Sequence, residues 1–438
     1  MDSCRFDPKM IPPASLSEGN TMRCLWISRY IPFPSDDGAK VYAANLAQSL
    51  ADSGVFVRFM GFGDAGAVRN APVNVDWLPV PGNKRNKALV ACSKWPIAAA
   101  IDATRAYILL LETQLRERWD AVVLDGYGTG WALDRCLACR HESPAHPPVL
   151  VHVSHNHEEI LWGLMAREAR GSPLKRWALR RNARRVSTLE RRIVRNVDLL
   201  TTITEEDRRS LGNGLAQDRS LTLTPGHSGW IANQRHITAA TPRRVIIMGS
   251  FQWVVKQENL IRFLEIADPI FKEQGIELDI VGDVPPALLA MLQGRCRATH
   301  FHGFVTDAAS FLSSARIAVV PESIGGGFKL KFLDYIFGRV PVASVSQATA
   351  GLPAELQCAM LSSDSLSGLV REIVAHIDRV DELNRIQERA FALGKAQFNW
   401  NVRGEQFRRA IDDVRQLVAG AHDTPAGAAA RNIDLVVS

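Results

Sequence analysis

Apolar runs of strand length alternate along this chain with longer stretches in which apolar residues recur at helical spacing. The first run, RCLWISRY at 23–30, ends in IPFPSDDGAK, where prolines and a glycine break the pattern. Ala39 to Ala51 then carries Tyr42, Leu46 and Leu50 on one stripe, as a helix buried along one side requires. VFVRFMGF follows as the next strand. Strand, loop, helix and strand at this spacing make a βαβ unit, which implies parallel pairing. Further strands are predicted at 74–80, 120–124, 149–153 and 198–203, with helices between them.

Near residue 214 the pattern loosens into GLAQDRSLTLTPGHSGWIANQRHITAATPRR, whose Gly, Pro, Ser and Thr content marks a domain boundary. A second series then runs RVIIMGS, a helix through 256–273, IELDIVGD, a helix at 285–294, THFHGFV, a helix at 306–313, RIAVVP, a glycine turn, a helix and VPVAS. The predicted organisation is an α/β domain at 22–225, a linker at 226–243, a second α/β domain at 244–398, and a helix at 399–419 that is free to return to the first domain. A disordered extension at 1–21 and a small, polar, disordered tail at 420–438 flank them. Two doubly wound α/β domains in tandem turn the carboxyl ends of their strands toward one cleft, where such sheets bind ligands.

The length of 438 residues agrees with two domains of about 200 residues rather than one core. No apolar run reaches the roughly 20 residues that span a bilayer. The N-terminus lacks the apolar core of a signal peptide, so a cytoplasmic protein is expected, with Met22 as an alternative start. Seven cysteines at irregular spacing point to free thiols in a reducing compartment. Only Cys136 and Cys139 form a C-x-x-C; no second ligand pair matches it, although His141 and His146 lie nearby, so no metal site is predicted.

Charge changes the picture in one place. Between Arg167 and Arg195 eleven Lys or Arg stand against two acids, Glu168 and Glu190, so this segment carries +9 of a chain whose net charge is +6. Ser172-Pro173 starts a helix there. On its wheel Val186, Leu189 and Ile193 share one face, and Arg180, Arg181, Arg184, Arg191, Arg192 and Arg195 take roughly the opposite third. A solvated face is the ordinary reading of such a row, but this excess goes beyond what solubility asks. With attraction on the order of 1 kcal/mol per base, the row would hold the protein to an anionic membrane surface. Nucleic acid is not a predicted partner, because Trp177 is the only aromatic residue among these bases.

Four loops after strands hold candidate chemistry. Gly38, in Ser35 to Lys40, would let a ligand approach the backbone. SHNHEE at 154–159 places His155, Asn156, His157 and Glu158 at the cleft, and imidazole exchanges or shares a proton near neutral pH. Gly249 and Ser250 offer backbone N–H groups, and Lys256 begins the next helix. In PESIGGGFKLKFLDYIFGRVP, Gly326 and Gly327 lie in a turn before a helix whose apolar spacing starts at Phe328, with Lys329 and Lys331 in its first turn. Bare N–H groups, a helix start and three lysines suit a pyrophosphate, though a lone Lys-x-Lys is ordinarily just solvated. Asp334, one turn on, is placed for a ribose rather than a phosphate. No G-x-G-x-x-G follows the first strand, and neither a P-loop nor a D-x-D occurs, so NAD, P-loop and metal-held diphosphate readings are not indicated.

On the G-S-F-x-W-x-x-K segment, HFHGFV, RIAVVP, GGGFKLKFLDYIFGRVPVAS, P-x-x-D-G-A, HNHE and ITEED, the chain resembles glycosyltransferases of the GT-B fold, similar to family 4, over roughly residues 22 to 418. The resemblance implies two Rossmann-like domains, a nucleotide-sugar donor, and a lipid-linked or polysaccharide hydroxyl as acceptor. It also implies a retaining, metal-independent transfer that needs no cofactor; the basic helix and the missing signal peptide place the expected enzyme in the cytoplasm, peripheral on the inner face of the membrane. By position it implies diphosphate contacts from Lys256, a ribose contact from Asp334, and His155, with Asn156, beside the donor sugar. Two positions depart from the family pattern. Gly326 stands where an acid contacts the sugar, and Ser250 or Phe251 where an arginine accompanies the lysine; Lys329 and Lys331 would replace that cation. A nucleotide-sugar epimerase and a non-catalytic binding subunit of the same fold are the alternatives.

Overall fold

The structure is a computed structural model. It describes residues 21–422 except 36, 65, 67, 70, 170, 171, 214 and 324–326, so Gly326, nearly all of the expected N-terminal extension and most of the tail lie outside the described residues. Strands β1 (Arg23–Tyr30), β2 (Phe56–Phe62), β3 (Asp76–Val80), β4 (Ala121–Asp125), β5 (Val149–Ser154), β6 (Leu199–Thr202) and β7 (Ser220–Thr222) form a parallel sheet in the order β3-β2-β1-β4-β5-β6-β7. A second parallel sheet takes β8 (Arg244–Met248), β9 (Glu277–Val281), β10 (Thr299–Gly303), β11 (Ile317–Val320), β12 (Val342–Val345) and β13 (Leu361–Ser363) in the order β10-β9-β8-β11-β12-β13.

Every residue of β4, β5, β6, β11 and β12 is buried, as parallel strands covered by helices on both faces must be. That is why the central strands read as continuous apolar runs. Both strand orders reverse beside the first strand of the sheet, between β1 and β4 and between β8 and β11. Crossovers on either side of that point pass to opposite faces, which leaves a crevice at the carboxyl ends. The two crevices meet, and Phe328 packs against the cores of both domains.

Three sequence expectations are corrected. The three-residue β7 adds an edge strand inside the stretch whose polar composition read as a loosened boundary. The helix after the glycine turn spans only Lys331–Phe337, so Lys329 precedes it rather than sitting in its first turn. The amides of Phe332 and Leu333 bond back to the carbonyls of Lys329 and Leu330, three residues behind, so the chain is still a tight turn where the apolar spacing already looked helical. The last helix, Trp400–His422, continues into the tail predicted to be disordered from 420.

This last helix lies along the helix Gly38–Asp52 of the first domain. Phe407, Ile411 and Val414 enter the core built on Trp26, Tyr42 and Leu46, with the Phe407 ring edge-on to Trp26 at 6.0 Å. Gly404 permits the approach, because a Cβ there would lie 2.0 Å from the Ser49 carbonyl oxygen. The last helix thus fastens the second domain back onto the first.

Candidate active site

On the first-domain side, β1, β4 and β5 end together. Asp125, the last residue of β4, accepts from Ser28 Oγ at 2.7 Å and binds His155 Nε2 at 2.6 Å. His155 packs edge-on against Tyr42 at 5.5 Å, and among the described residues its buried Nδ1 has no hydrogen-bond partner. Burial works against a charged ring, but the charge and hydrogen bond of Asp125 outweigh it and hold the His155 pKa above its ordinary value. The neighbouring His152 is the opposite case: burial pushes it down to about 4, so it stays neutral and structural. A cavity of about 300 Å³ opens above Asp125 and His155, with Arg29, Asp37, Asn156 and Glu158 in its wall.

On the second-domain side, Lys256, Lys329 and Lys331 gather around one acid. Lys331 Nζ pairs with Glu322 Oε1. Glu322 is buried, and among the described residues its Oε2 has no hydrogen-bond partner. Burial lowers the pKa of Lys256, and the neighbouring Lys331 lowers it further, against the pull of Glu322 and of Asp37 across the cleft. Burial likewise lowers Lys329, whose Nζ donates to the Gly327 carbonyl at 3.0 Å. Three ammonium groups crowded around a single carboxylate, two of them, Lys256 and Lys329, with lowered pKa values, are a site that an additional anion would relieve.

Gly249 acts differently from the sequence expectation. Its N–H is spent on Val281 O at 3.0 Å and the Phe251 N–H on Asp283 O, so Gly249 is no free donor. Its value is its backbone: φ is 149°, a conformation side-chain-bearing residues rarely adopt, and a Cβ there would only touch Lys331 Nζ at 3.4 Å. Ser250 follows it at the end of β8 and Lys256 lies in the first turn of the helix Val254–Gln274. Gly38 begins its helix, capped by Asp37, and faces Leu330 of the second domain. Gly327, at φ 74°, lies so close to Asn156 that a Cβ would meet its Oδ1 at 2.3 Å. The His155–Asn156 loop and the glycine turn therefore form opposite lips of one cleft.

Asp334 lies partly buried on the lysine side; partial desolvation of its carboxyl pushes its pKa up to about 6, Lys331 pulling the other way. His227 Nδ1 stands 4.0 Å from it, its ring stacked on Phe337 at 4.3 Å. Sequence reasoning missed Asp125, Glu322, Arg29 and His227. The first two carried a usable signal, an acid that ends or closely follows an apolar strand; Arg29 and His227 owe their places to pairing across the fold.

The basic helix Pro173–Asn196 buries Val186, Leu189 and Ile193 and exposes Arg180, Arg181, Arg184, Arg191 and Arg195. Part of its charge is spent locally. Arg191 pairs with Glu159, and Arg192, only half-buried rather than outward, pairs with Asp134 and lies against Trp95. Glu190 does not dilute the outer face at all: it is buried, accepts the N–H groups of Glu158 and Glu159, and is pushed up to about 8 by burial. Exposed Leu174 and Trp177 stand among the bases at the start of this helix. His157, Glu159 and Glu190 bring ligand atoms within 4.8 Å of one another, but Arg191 and the two backbone amides already occupy the carboxylates. Among the described residues no helix is long and apolar enough to cross a membrane.

Comparisons with known proteins divide the chain in the same way. Residues 37–226 match the family model described as glycosyl transferase 4-like domain, and residues 242–378 the model described as glycosyl transferases group 1. No curated protein matches. Among solved structures, sucrose-phosphate synthase from Thermosynechococcus elongatus is similar with a TM-score of 0.63 at 14% identity, over 91% of this chain and 100% of that one. HepE from Anabaena, solved with UDP and glucose, is similar with a TM-score of 0.58 at 14% identity, over 90% and 100%. WaaG, a glycosyltransferase involved in lipopolysaccharide biosynthesis, gives 0.58 at 16% identity, over 89% and 99%. At these identities the likeness concerns the fold.

Proposed function

Because the chain belongs to the group 1, family 4-like glycosyltransferases of the GT-B fold, we propose that it moves a sugar from a nucleotide-sugar donor to a hydroxyl of a lipid-linked or polysaccharide acceptor in cell-surface glycan synthesis. The observation that carries this reading is the cluster of Lys256, Lys329 and Lys331 around Glu322, facing His155 and Asn156 across one cleft. A departing nucleoside diphosphate needs its growing charge stabilised, and preorganised ammonium groups in a partly dry site do so without a metal. Asp334 accepts from the ribose, Ser250 and Gly327 border the phosphates, and His155 with Asn156 line the transfer site with retention of the donor's configuration. UDP, which the HepE structure contains, is the first nucleotide to test.

The protein works, in this reading, on the inner face of a membrane. Leu174 and Trp177 would dip into the headgroup region while Arg180, Arg181, Arg184 and Arg195 meet anionic lipid. Co-sedimentation with anionic vesicles that falls with added salt supports this, and equal binding to neutral vesicles contradicts it.

A thermal-shift panel of UDP, GDP, ADP and dTDP tests the donor, since a ligand of the native state raises its stability. A shift with one of them is expected, and none with any would defeat the donor reading. Glycine at 326 favours one second reading, a binding subunit without turnover. Release of nucleoside diphosphate that depends on an acceptor eliminates it, and also eliminates an epimerase.

A further inference from the structure

The Arg29 side chain is built in a way that the transfer reading does not use. Its Nε donates to Asp102 Oδ2 at 2.6 Å, and Asp102 is completely buried. The other oxygen of Asp102 lies 2.6 Å from Lys84 Nζ, and that ammonium sits 3.3 Å from the centre of the Tyr30 ring. Two cations thus share one carboxylate, which leaves the group with a surplus positive charge. Gly128 makes room for the arginine stem, since a Cβ there would lie 2.5 Å from Arg29 Cδ.

The surplus charge faces the first-domain cavity, which Arg29 lines together with Ser28, His155 and Glu158. Among the described residues neither Nη group of Arg29 has a hydrogen-bond partner, and 28% of the side chain is exposed. The nearby acids among the described residues are already engaged. Asp125 is held by Ser28 and His155, Glu158 by Asn156 and Trp162, and Asp37 by the amide of Lys40. Glu158 feels the charge of Arg29 but is not bonded to it. A guanidinium tethered at Nε presents its two remaining nitrogens as a fork, whose match is a pair of oxygens on one phosphate or carboxylate. A neutral sugar hydroxyl offers one oxygen and no charge.

We infer that Arg29, positioned by Asp102 and Lys84, binds an anionic group of the acceptor, a phosphate or a carboxylate, on the first-domain side of the cleft. This rests on the reading of that cavity as the acceptor's. The anion would be either the phosphate of a lipid carrier or the carboxylate of an acidic sugar.

Calorimetry on the full chain, with the lysine site filled by the best nucleoside diphosphate, tests it with farnesyl diphosphate, glucuronate and glucose as probes. At least one of the two anions is expected to bind at least about tenfold more tightly than glucose. Preference for farnesyl diphosphate assigns the lipid carrier, and preference for glucuronate the acidic sugar. Arg29→Gln should abolish the preference, Arg29→Lys should keep part of it, and both should leave nucleotide affinity unchanged, which shows that they are folded. No preference for either anion in the wild-type chain, or a preference that survives Arg29→Gln, overturns the proposal. If no nucleoside diphosphate binds, the donor reading fails instead, and the three probes are titrated without nucleotide.

Discussion

The two sheets share a strand order and a crevice beside their first strands, yet the rims of those crevices are charged in different ways. At the first, Asp125 is matched to His155, and the acids and bases lie in nearly equal numbers. At the second, three lysines crowd one buried acid, Glu322. Topology gives the place of a site, and the side chains at the strand ends give its sign. A rim whose acids and bases nearly balance suits hydroxyl-bearing ligands and proton sharing and leaves one directed cation, Arg29, for an anionic substituent; a rim with a plain excess of cations suits a ligand that brings more negative charge. The same fold used twice can therefore hold both reactants of a transfer without confusing them.

The comparison breaks if the lysine rim is not an anion site. Replacing both Lys329 and Lys331 with alanine should weaken nucleoside diphosphate binding by roughly a hundredfold or more, since each hydrogen bond to a charged group contributes about 1.5–3 kcal/mol. Calorimetry measures it, and unchanged affinity removes both residues from the site. His155→Ala tests the other rim. It should lower turnover about a hundredfold, the scale seen when one group aimed at a reacting centre is lost, while nucleotide affinity stays the same. A parallel loss of nucleotide binding would mean that the two rims do not divide the work.

The smallest effect concerns Asp334, whose carboxyl pKa is pushed up to about 6 by partial desolvation. Its charged form is the better acceptor for ribose hydroxyls, and the charged form disappears as pH falls. Nucleotide affinity should therefore drop several-fold as pH is lowered through about 6 in the wild-type chain, beyond the change seen in Asp334→Asn. The phosphate of the nucleotide titrates in both proteins, so the difference between their profiles isolates the residue. Identical profiles would take Asp334 away from the ribose.

Much of this is legible in the sequence alone. β4, β5 and β11 are buried on both faces and so announce themselves as apolar runs, and Tyr42, Leu46 and Leu50 mark the buried stripe of their helix. Lys256, Lys329, Lys331 and His155 could be named because they follow strands. The start of the helix at Lys331 was misplaced because Phe328 and Leu330 are apolar for another reason: they face the junction of the domains, and apolar spacing does not distinguish the two. A glycine turn such as that at Gly249 suggests a free N–H donor, because such groups are common there, whereas here the amide completes a bond to β9.

Local order, then, was determined by the sequence: alternating strands and helices, two α/β units, and one strongly basic helix, because periodicity and composition act over a few residues. Tertiary structure decided which of these residues became partners. Asp125 and His155 are 30 positions apart, Arg29 and Asp102 73, and the last helix returns nearly the whole chain length to pack on Trp26 and Tyr42. Such pairings depend on how the strands are ordered in the sheet, and the energy that selects that order comes from burial summed over both domains, which no short stretch of sequence contains.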